Sequence, residues 1–307
     1  TEDLMDRRTF LGIAAVALAH PAFAGEAGNF QAIYGDVRLR DRFFAFLQTV
    51  FHLYPESQFH QLIIDACEVF EGDAEIYAAI QAGLPAIKPL LSDLTYSMPA
   101  LTLQKHALTN QATQFLGQGT KLDGYLEIGS LGRYVRDLGE RVSLSGPTWI
   151  LNDIKPGKGP IHMLERGQFG EAGQFLPMGN YDPLPDVVGD ESLDLVSNFI
   201  GFHHCPDDQL QPFIESIRRV MRSDGRLLVR EHNVVDPTMY TFVALAHDVF
   251  NAGVKLDWSE NASQIRGFRS VEEWTALLEK AGFARTETLL VQKNDPTDNY
   301  LMEFRKA

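Results

Sequence analysis

The stretch Leu126-Glu127-Ile128-Gly129-Ser130-Leu131-Gly132-Arg133-Tyr134 decides the fold. A short apolar run, residues 125–128, leads directly into the glycines, and apolar residues at helical spacing follow from 134 to 138. A strand that turns through glycines into a helix presents backbone amides to a ligand at the carboxyl edge of a sheet. The stretch therefore predicts a strand–turn–helix unit with a binding site at the turn.

Apolar runs and helical patterns alternate from this turn to the end of the chain. Strands are predicted for 148–153, 174–178, 192–199, 226–230, 286–292 and 300–304, and helices for 210–221 and 271–281. Strands that alternate with helices indicate a mostly parallel sheet covered by helices, which is an α/β fold. The last two strands have only a loop between them, so we expect an antiparallel hairpin at one edge.

The region 25–118 shows the pattern of an all-α cap that precedes the α/β domain, 119–307. Apolar and aromatic residues recur at helical spacing in 43–51 and 59–70. Asp73 is predicted as the N-cap of a helix over 74–82, Gly83 as its end, and a further helix is predicted for 101–115. The many aromatic side chains are expected in the core, and the cap is expected to cover a neighbouring site.

The first 24 residues are typical of a targeting segment. Arg7 and Arg8 are adjacent, an Ala-rich apolar run covers 13–19, and 22–24 has a small-x-small pattern. This order resembles a bacterial twin-arginine signal and predicts a periplasmic or exported protein. The alternative is an amphipathic first helix in a cytoplasmic protein. The apolar run is too short to span a membrane, so no stable membrane insertion is expected.

The composition excludes several classes of function. The net charge is −14 and no Lys/Arg cluster is present, which argues against a nucleic-acid partner. Cys67 and Cys205 are the only cysteines, which excludes a disulfide framework and a zinc site with paired cysteines. The expected partner is a small-molecule substrate, while the oligomeric state and a pairing of the two cysteines stay open.

The region 122–306 resembles the class I S-adenosylmethionine-dependent methyltransferases. Segment 126–132 is similar to the family's acid-x-Gly-x-Gly-x-Gly turn, 191–199 to its fourth-strand signature, and 218–227 to its helix-to-strand turn. The resemblance implies a Rossmann-like sheet that ends in an antiparallel hairpin. It also implies S-adenosylmethionine as the cofactor and methyl transfer to a small molecule.

The resemblance further implies which residues bind the cofactor. Glu127 is expected at its amino-acid or ribose end, and Asp153, at the end of the second strand, at its ribose hydroxyls. Asn180 replaces the acid that the family carries after the third strand, and its amide can still bond an adenine edge. The complete predicted set is Glu127, Gly129, Ser130, Gly132, Asp153, Asn180, Tyr181 and Asn198.

The sequence departs from the family's pattern in the glycine turn itself. The family's second and third glycines fall at Leu131 and Arg133. Glycine allows close approach of the backbone to a ligand, so a side chain at 131 narrows the pocket or shifts its backbone. The alternative function is therefore a methyltransferase-like binding protein without methyltransferase activity.

Several histidines lie near the predicted site. His203 and His204 follow the fourth strand, His232 follows the fifth, and His247 lies in a helical insert. His204 and His232 are predicted as catalytic general bases, since a neutral imidazole accepts a proton from a substrate hydroxyl or amine near pH 7. Neither His203–His204 nor Glu231–His232 has the helical spacing of a His-x-x-x-His ligand pair, so no metal is predicted. A structural role in the site wall is the alternative for His203.

Overall fold

The computed structural model describes residues 28–51, 53–89, 98–157, 170–199 and 201–307. The predicted export signal lies outside these ranges. Within them, we find no helix with the length and apolar character needed to cross a membrane.

The N-terminal part of the described chain is helical, as the sequence predicts. A π-helical turn, Leu47–Phe51, continues the second helix. The helices are α1 (Asn29–Tyr34), α2 (Val37–Phe46), α3 (Glu56–Val69), α4 (Asp73–Ile87) and α5 (Met98–Leu116).

The predicted ends of α4 are wrong. The helix begins at Asp73 itself, and the carboxylate accepts hydrogen bonds from the backbone N–H groups of Asn29 at 2.8 Å and Phe30 at 3.1 Å. Asp73 therefore caps the start of α1, a segment distant in sequence that a local capping rule does not consider. The helix also continues through Gly83 to Ile87, so this glycine does not end it.

A seven-stranded sheet of order β3-β2-β1-β4-β5-β7-β6 forms the α/β part. Neighbours among the first five strands are parallel, and β7 is antiparallel to both β5 and β6. This arrangement is the Rossmann-like sheet with a C-terminal antiparallel hairpin that the resemblance implies. The strands are β1 (Lys121–Ile128), β2 (Ser143–Asn152), β3 (Gln174–Pro177), β4 (Leu193–Asn198), β5 (Met221–His232), β6 (Phe283–Val291) and β7 (Asn299–Lys306).

The strand β5 begins earlier than predicted. Leu193 pairs with Met221, but Leu195 pairs with Arg226, so β5 contains a bulge opposite the start of β4. Residues 223–225, which we expected to be a turn before the strand, lie within this irregular part of β5. A bulge keeps a strand paired while it accommodates extra residues, which explains the error.

Five further helices of the described chain cover the sheet or extend it. The helix α7 (Asp207–Val220) buries Phe213, Ile214 and Ile217 along one side, as its apolar spacing predicts. These helices are α6 (Val135–Gly139), α7 (Asp207–Val220), α8 (Pro237–Gly253), α9 (Trp258–Ser263) and α10 (Val271–Lys280).

The insert helix α8 packs against the N-terminal helices. Phe242 of α8 lies 5.3 Å from Phe43 of α2 between ring centroids, and both belong to one buried apolar cluster. The hydroxyl of Tyr54 donates to the carbonyl of Gly253 at 2.9 Å. These contacts hold the N-terminal helices and α8 together beside the sheet.

Candidate active site

The carboxyl ends of four parallel strands lie along one edge of the sheet. Ile128 ends β1 directly before the glycine turn, and Asn152 ends β2 directly before Asp153. Asn198 ends β4, and His232 ends β5. The strand order reverses between β1 and β4, and open α/β sheets bind ligands in the crevice at such a point. Most of the predicted site residues are therefore gathered at this edge.

The carboxylate of Glu127 is buried and bound by the protein itself. It accepts hydrogen bonds from the hydroxyl of Ser130, from the hydroxyl of Tyr125 at 3.2 Å and from the backbone N–H of Tyr134 at 3.2 Å. Burial raises the pKa of Glu127 above its usual value. With three protein donors around it, this carboxylate fixes the shape of the glycine turn.

The glycine turn combines left-handed glycines with buried side chains. Gly129 and Gly132 have φ values of 80° and 83°, a region that glycine adopts without strain. Leu131, between them, and Arg133, after them, are both buried. The turn therefore has the backbone conformation that glycine permits, with a buried leucine where a third glycine is absent.

Asp153 is exposed at the end of β2. We find no hydrogen bond or ion pair to its carboxylate within the described residues. The nearby protein still removes enough water from the carboxylate to raise its pKa to about 6. An acid in this position is available to a ligand that brings hydrogen-bond donors.

Asn198 is buried without partners for its side chain. Within the described residues, neither its Oδ1 nor its Nδ2 atom has a hydrogen-bond partner. Buried polar groups are nearly always bonded, so a ligand or water is expected to complete this site. Asn180 is exposed after β3. Tyr181 is buried, and its hydroxyl donates to the carbonyl of Gly201 at 3.2 Å.

Four histidines come together at the same edge of the sheet. His203 and His204 lie in the 3₁₀ turn after β4, His232 ends β5, and His247 lies on α8. From His203, the ring centroids of His204, His247 and His232 are 4.2, 5.2 and 5.7 Å away. Tertiary packing therefore builds a histidine cluster from three separate segments.

Protein acceptors fix the tautomer of three of these rings. The Nδ1 atoms contact backbone carbonyl oxygens in the pairs His204–Ile265 (3.0 Å), His232–Thr297 (2.9 Å) and His247–Val243 (2.9 Å). A carbonyl oxygen only accepts, so each Nδ1 carries the proton and donates it. In the neutral ring, each Nε2 then has a free lone pair.

Burial keeps the rings neutral near pH 7. It lowers the pKa of His203 to about 3 and of His232 to about 4, and it lowers the pKa values of His204 and His247 well below the usual range. Burial also raises the pKa of Glu231, which lies 2.6 Å from Nδ1 of His203, to about 7. A general base works best with a pKa near the working pH, so His204 and His232 are weak bases in this setting.

A cavity lies between the N-terminal helices and this edge of the sheet. It holds about 160 Å³, counted as the space that the centre of a water molecule can reach. Arg133 and Tyr134 line it, so the glycine turn adjoins it. Its apolar wall includes Phe46, Phe51, Phe199 and Phe250, and its polar wall includes the four histidines, Arg230 and Asn299.

The sequence places His203, Glu231 and His247 near this edge, but we predicted no catalytic or cofactor-binding role for them. Glu231 and His247 are 28 and 44 residues from His203 along the chain, so only the tertiary fold shows that they meet. Their position in the sequence was the available signal. Glu231 lies at the end of β5 and His203 follows β4, and both strand ends belong to the ligand-binding edge.

No protein-family model matches the sequence, and no curated protein matches it either. Solved structures that are similar include the Burkholderia thailandensis 1,6-didemethyltoxoflavin-N1-methyltransferase, at 14% identity and a TM-score of 0.47 over 78% of this chain and 92% of that chain. The mitomycin 7-O-methyltransferase MmcR has 19% identity and a TM-score of 0.46, over 82% of this chain and 69% of that chain. Similarities of this size carry no argument about activity, and the fold rests on the strand order of this chain.

Proposed function

We propose that this protein binds S-adenosylmethionine and transfers its methyl group to a small molecule. The observation that carries the proposal is the partnerless carboxylate of Asp153 at the carboxyl end of β2. It stands beside a glycine turn in a sheet whose order reverses between β1 and β4. In Rossmann-type sheets this is where nucleotide ligands bind, with an acid on the ribose.

The residues present fit the cofactor at three points. Asp153 would accept hydrogen bonds from the two ribose hydroxyls, and Asn180, which is exposed after β3, would bond the adenine edge. Asn198 offers a buried amide whose hydrogen-bonding groups have no partner in the described chain. When bound, S-adenosylmethionine supplies an electrophilic methyl group on its sulfonium. We expect the glycine turn itself to contribute less, because a buried leucine, Leu131, lies between its two glycines.

The adjoining cavity fits a small acceptor with an apolar ring. Its volume of about 160 Å³ is close to the roughly 150 Å³ of an apolar cavity that holds benzene. The aromatic wall of the cavity favours a flat apolar body, and Arg230 and the histidines favour a polar group at one end. The contribution of the chain is to hold the acceptor atom in line and to exclude water.

The acceptor atom must lose a proton if it is a hydroxyl or a protonated amine. His232 and His204 line the cavity, and Nε2 of each neutral ring has a lone pair, which supports either ring as the acceptor of this proton. Because their pKa values are lowered, both rings are weak bases, and the transfer of the proton to either is less favourable. We therefore expect a modest gain from either base and a reaction that depends mainly on alignment.

Calorimetric titration of the purified full chain with S-adenosylhomocysteine tests the proposal. We expect one site per chain and saturable binding. Release of bound S-adenosylmethionine or S-adenosylhomocysteine from the denatured protein, measured by mass spectrometry, gives a second readout. Absence of binding together with absence of co-purified cofactor would reject the proposal.

A second candidate is a binding protein of the same fold that does not methylate. The altered glycine turn favours this second candidate, since Leu131 is buried where the family's pattern has glycine. Leu131→Gly separates the two candidates. If Leu131 only crowds the cofactor, the variant binds S-adenosylhomocysteine more tightly than the wild type. If neither protein binds it, the second candidate stands.

A further inference from the structure

The Nε2 atoms of His203 and His247 face each other at 3.2 Å. Nδ1 of His247 donates to the carbonyl of Val243, so Nε2 of His247 presents a lone pair to His203. Two lone pairs at this distance repel each other unless a proton or a cation lies between them. The structure therefore requires a proton on one of these two nitrogens or a cation between them.

A proton satisfies only part of the cluster. For Nε2 of His203 to donate to His247, the ring must carry a proton on Nε2, with the Glu231 carboxyl group 2.6 Å from its Nδ1. Nε2 of His204 would still be buried without a hydrogen-bond partner in the described chain. A buried nitrogen without a hydrogen-bond partner destabilises the folded protein, and no contact in this arrangement compensates for that cost.

A metal ion satisfies all three nitrogens at once. His203, His204 and His247 have ligand atoms that lie within 4.8 Å of one another. In a tetrahedral zinc site with Zn–N bonds of about 2.0–2.1 Å, two ligand nitrogens are about 3.3–3.4 Å apart, close to the His203–His247 separation. The third nitrogen lies within 4.8 Å of the other two and must move closer to them to complete the set.

The outer contacts of the rings are those that metal-binding histidines make. Ligand histidines usually donate their second N–H to a carboxylate or a backbone carbonyl, which fixes ring orientation and tautomer. Here Nδ1 of His203 lies 2.6 Å from the carboxylate of Glu231. Nδ1 of His204 and of His247 donate to carbonyl oxygens. Each Nδ1 is therefore engaged by the protein, which leaves the three Nε2 atoms as the ligand atoms.

The charges around the cluster allow a divalent cation. Arg230, Arg266 and Arg269 are nearby cations, and each already has an acidic partner. Arg269 binds Asp207 at 2.5 Å. Arg266 binds Asp248 at 2.6 Å, and Arg230 lies 3.7 Å from Asp295. Glu231, directly behind His203, supplies negative charge next to the ion. Three imidazole ligands select a zinc-type ion over Mg²⁺ or Ca²⁺, which prefer oxygen.

We propose that Nε2 of His203, His204 and His247 binds a divalent transition-metal ion of the zinc type, with Glu231 as the positioning carboxylate behind His203. All three ligands line the cavity, so a fourth position is open to a substrate oxygen. Three protein ligands with one open position are typical of catalytic zinc. This site does not depend on the proposed cofactor. With a metal bound, Nε2 of His204 is a ligand, so His232 alone remains as a base for the acceptor.

Zn²⁺ titration of the chelator-stripped full chain, in competition with a chromophoric chelator and without nucleoside ligand, tests the site. We expect one tightly bound Zn²⁺ per chain, no competition by Mg²⁺, and a visible Co²⁺ spectrum typical of a four-coordinate ion with three nitrogen ligands. His204→Gln and His247→Gln should each abolish stoichiometric binding. Glu231→Gln should weaken it by about 10–100-fold, as for other positioning groups of this kind.

His106→Gln is the matched control. His106 of α5 pairs with Asp137 of α6 at 2.8 Å and does not line the cavity, so its replacement should leave Zn²⁺ binding unchanged. Circular dichroism verifies that each variant is folded, and the Co²⁺ spectrum of the wild type tests the site without any variant. No stoichiometric uptake by the wild type, or uptake unchanged in both ligand variants, would overturn the proposal. Because no nucleoside is added, failure of cofactor binding leaves this result unaffected.

Discussion

The carboxylate of Glu127 accepts a hydrogen bond from the backbone N–H of Tyr134, seven residues later, at 3.2 Å. Ser130 and Tyr125 donate to the same carboxylate, so one buried side chain joins the end of β1 to the residue that precedes α6. The shape of the glycine turn therefore depends on Glu127 as well as on its glycines.

Glu127→Ala should destabilise the protein. It leaves three donors without their acceptor, and each unsatisfied buried group costs about 1–3 kcal/mol. We expect the free energy of unfolding, measured with urea, to fall by roughly 3 kcal/mol or more. Glu127→Gln, which keeps one acceptor oxygen, should lose less. An alanine variant of unchanged stability that no longer binds S-adenosylhomocysteine would instead show that Glu127 contacts the ligand.

Local patterns were sufficient to predict the sheet and its edge residues. The strand that ends at Ile128, the acid at Asp153 and the final hairpin follow from apolar runs and turn residues, which report local structure. Contacts across the chain were not predictable in this way. Asp73 caps α1 rather than its own helix, and His247 reaches His203 from α8. Such pairings depend on how elements pack, and one sequence does not contain that information in a local pattern.

Affinity for S-adenosylhomocysteine should fall below about pH 6. The pKa of Asp153 is about 6 in the folded protein, and protonation removes the charge that strengthens its hydrogen bonds to hydroxyls. We expect calorimetric affinity to be nearly constant above pH 7 and to decrease by up to about tenfold per pH unit below pH 6. Asp153→Asn should show a weaker dependence.

Protonation of Asp153 does not lower the affinity by unfolding the protein. Its folded-state pKa lies above the value of an unfolded aspartate, so the folded state binds the proton more tightly between about pH 4 and 6. Through this group the free protein gains stability as the pH falls in that window. An affinity that stays unchanged from pH 7.5 to 5, with the protein folded, would contradict the ribose assignment.

Cys205 should not act as a nucleophile. It is buried, and burial raises the pKa of its thiol, so almost no thiolate forms near pH 7. Cys205→Ser should keep S-adenosylhomocysteine binding, with a slightly lower melting temperature because a hydroxyl replaces a thiol in an apolar cluster. Rapid modification of Cys205 by a thiol reagent in the native protein, with Cys67→Ser as background, would contradict this.

We propose that residues 1–24 direct export by the twin-arginine route. Replacement of both Arg7 and Arg8 by Lys should leave the precursor in the cytoplasm, because the paired arginines are the feature that this route reads. Immunoblots of cell fractions report the location, and sequencing of the mature N-terminus should find a start near Gly25. Full-length chain with residues 1–24 intact in the cytoplasm of its host would argue for the alternative, an amphipathic first helix.

The most direct measurement is calorimetric binding of S-adenosylhomocysteine to the wild type, Asp153→Ala and Asp224→Ala. Asp224 is an exposed acid near the opposite end of the sheet and serves as the control. Charge-assisted hydrogen bonds contribute about 1.5–3 kcal/mol, so Asp153→Ala should weaken binding by roughly tenfold to a hundredfold without a change in the melting temperature of the free protein. Asp224→Ala should bind like the wild type. No binding by the wild type, or equal binding by all three proteins, would contradict the proposed cofactor site.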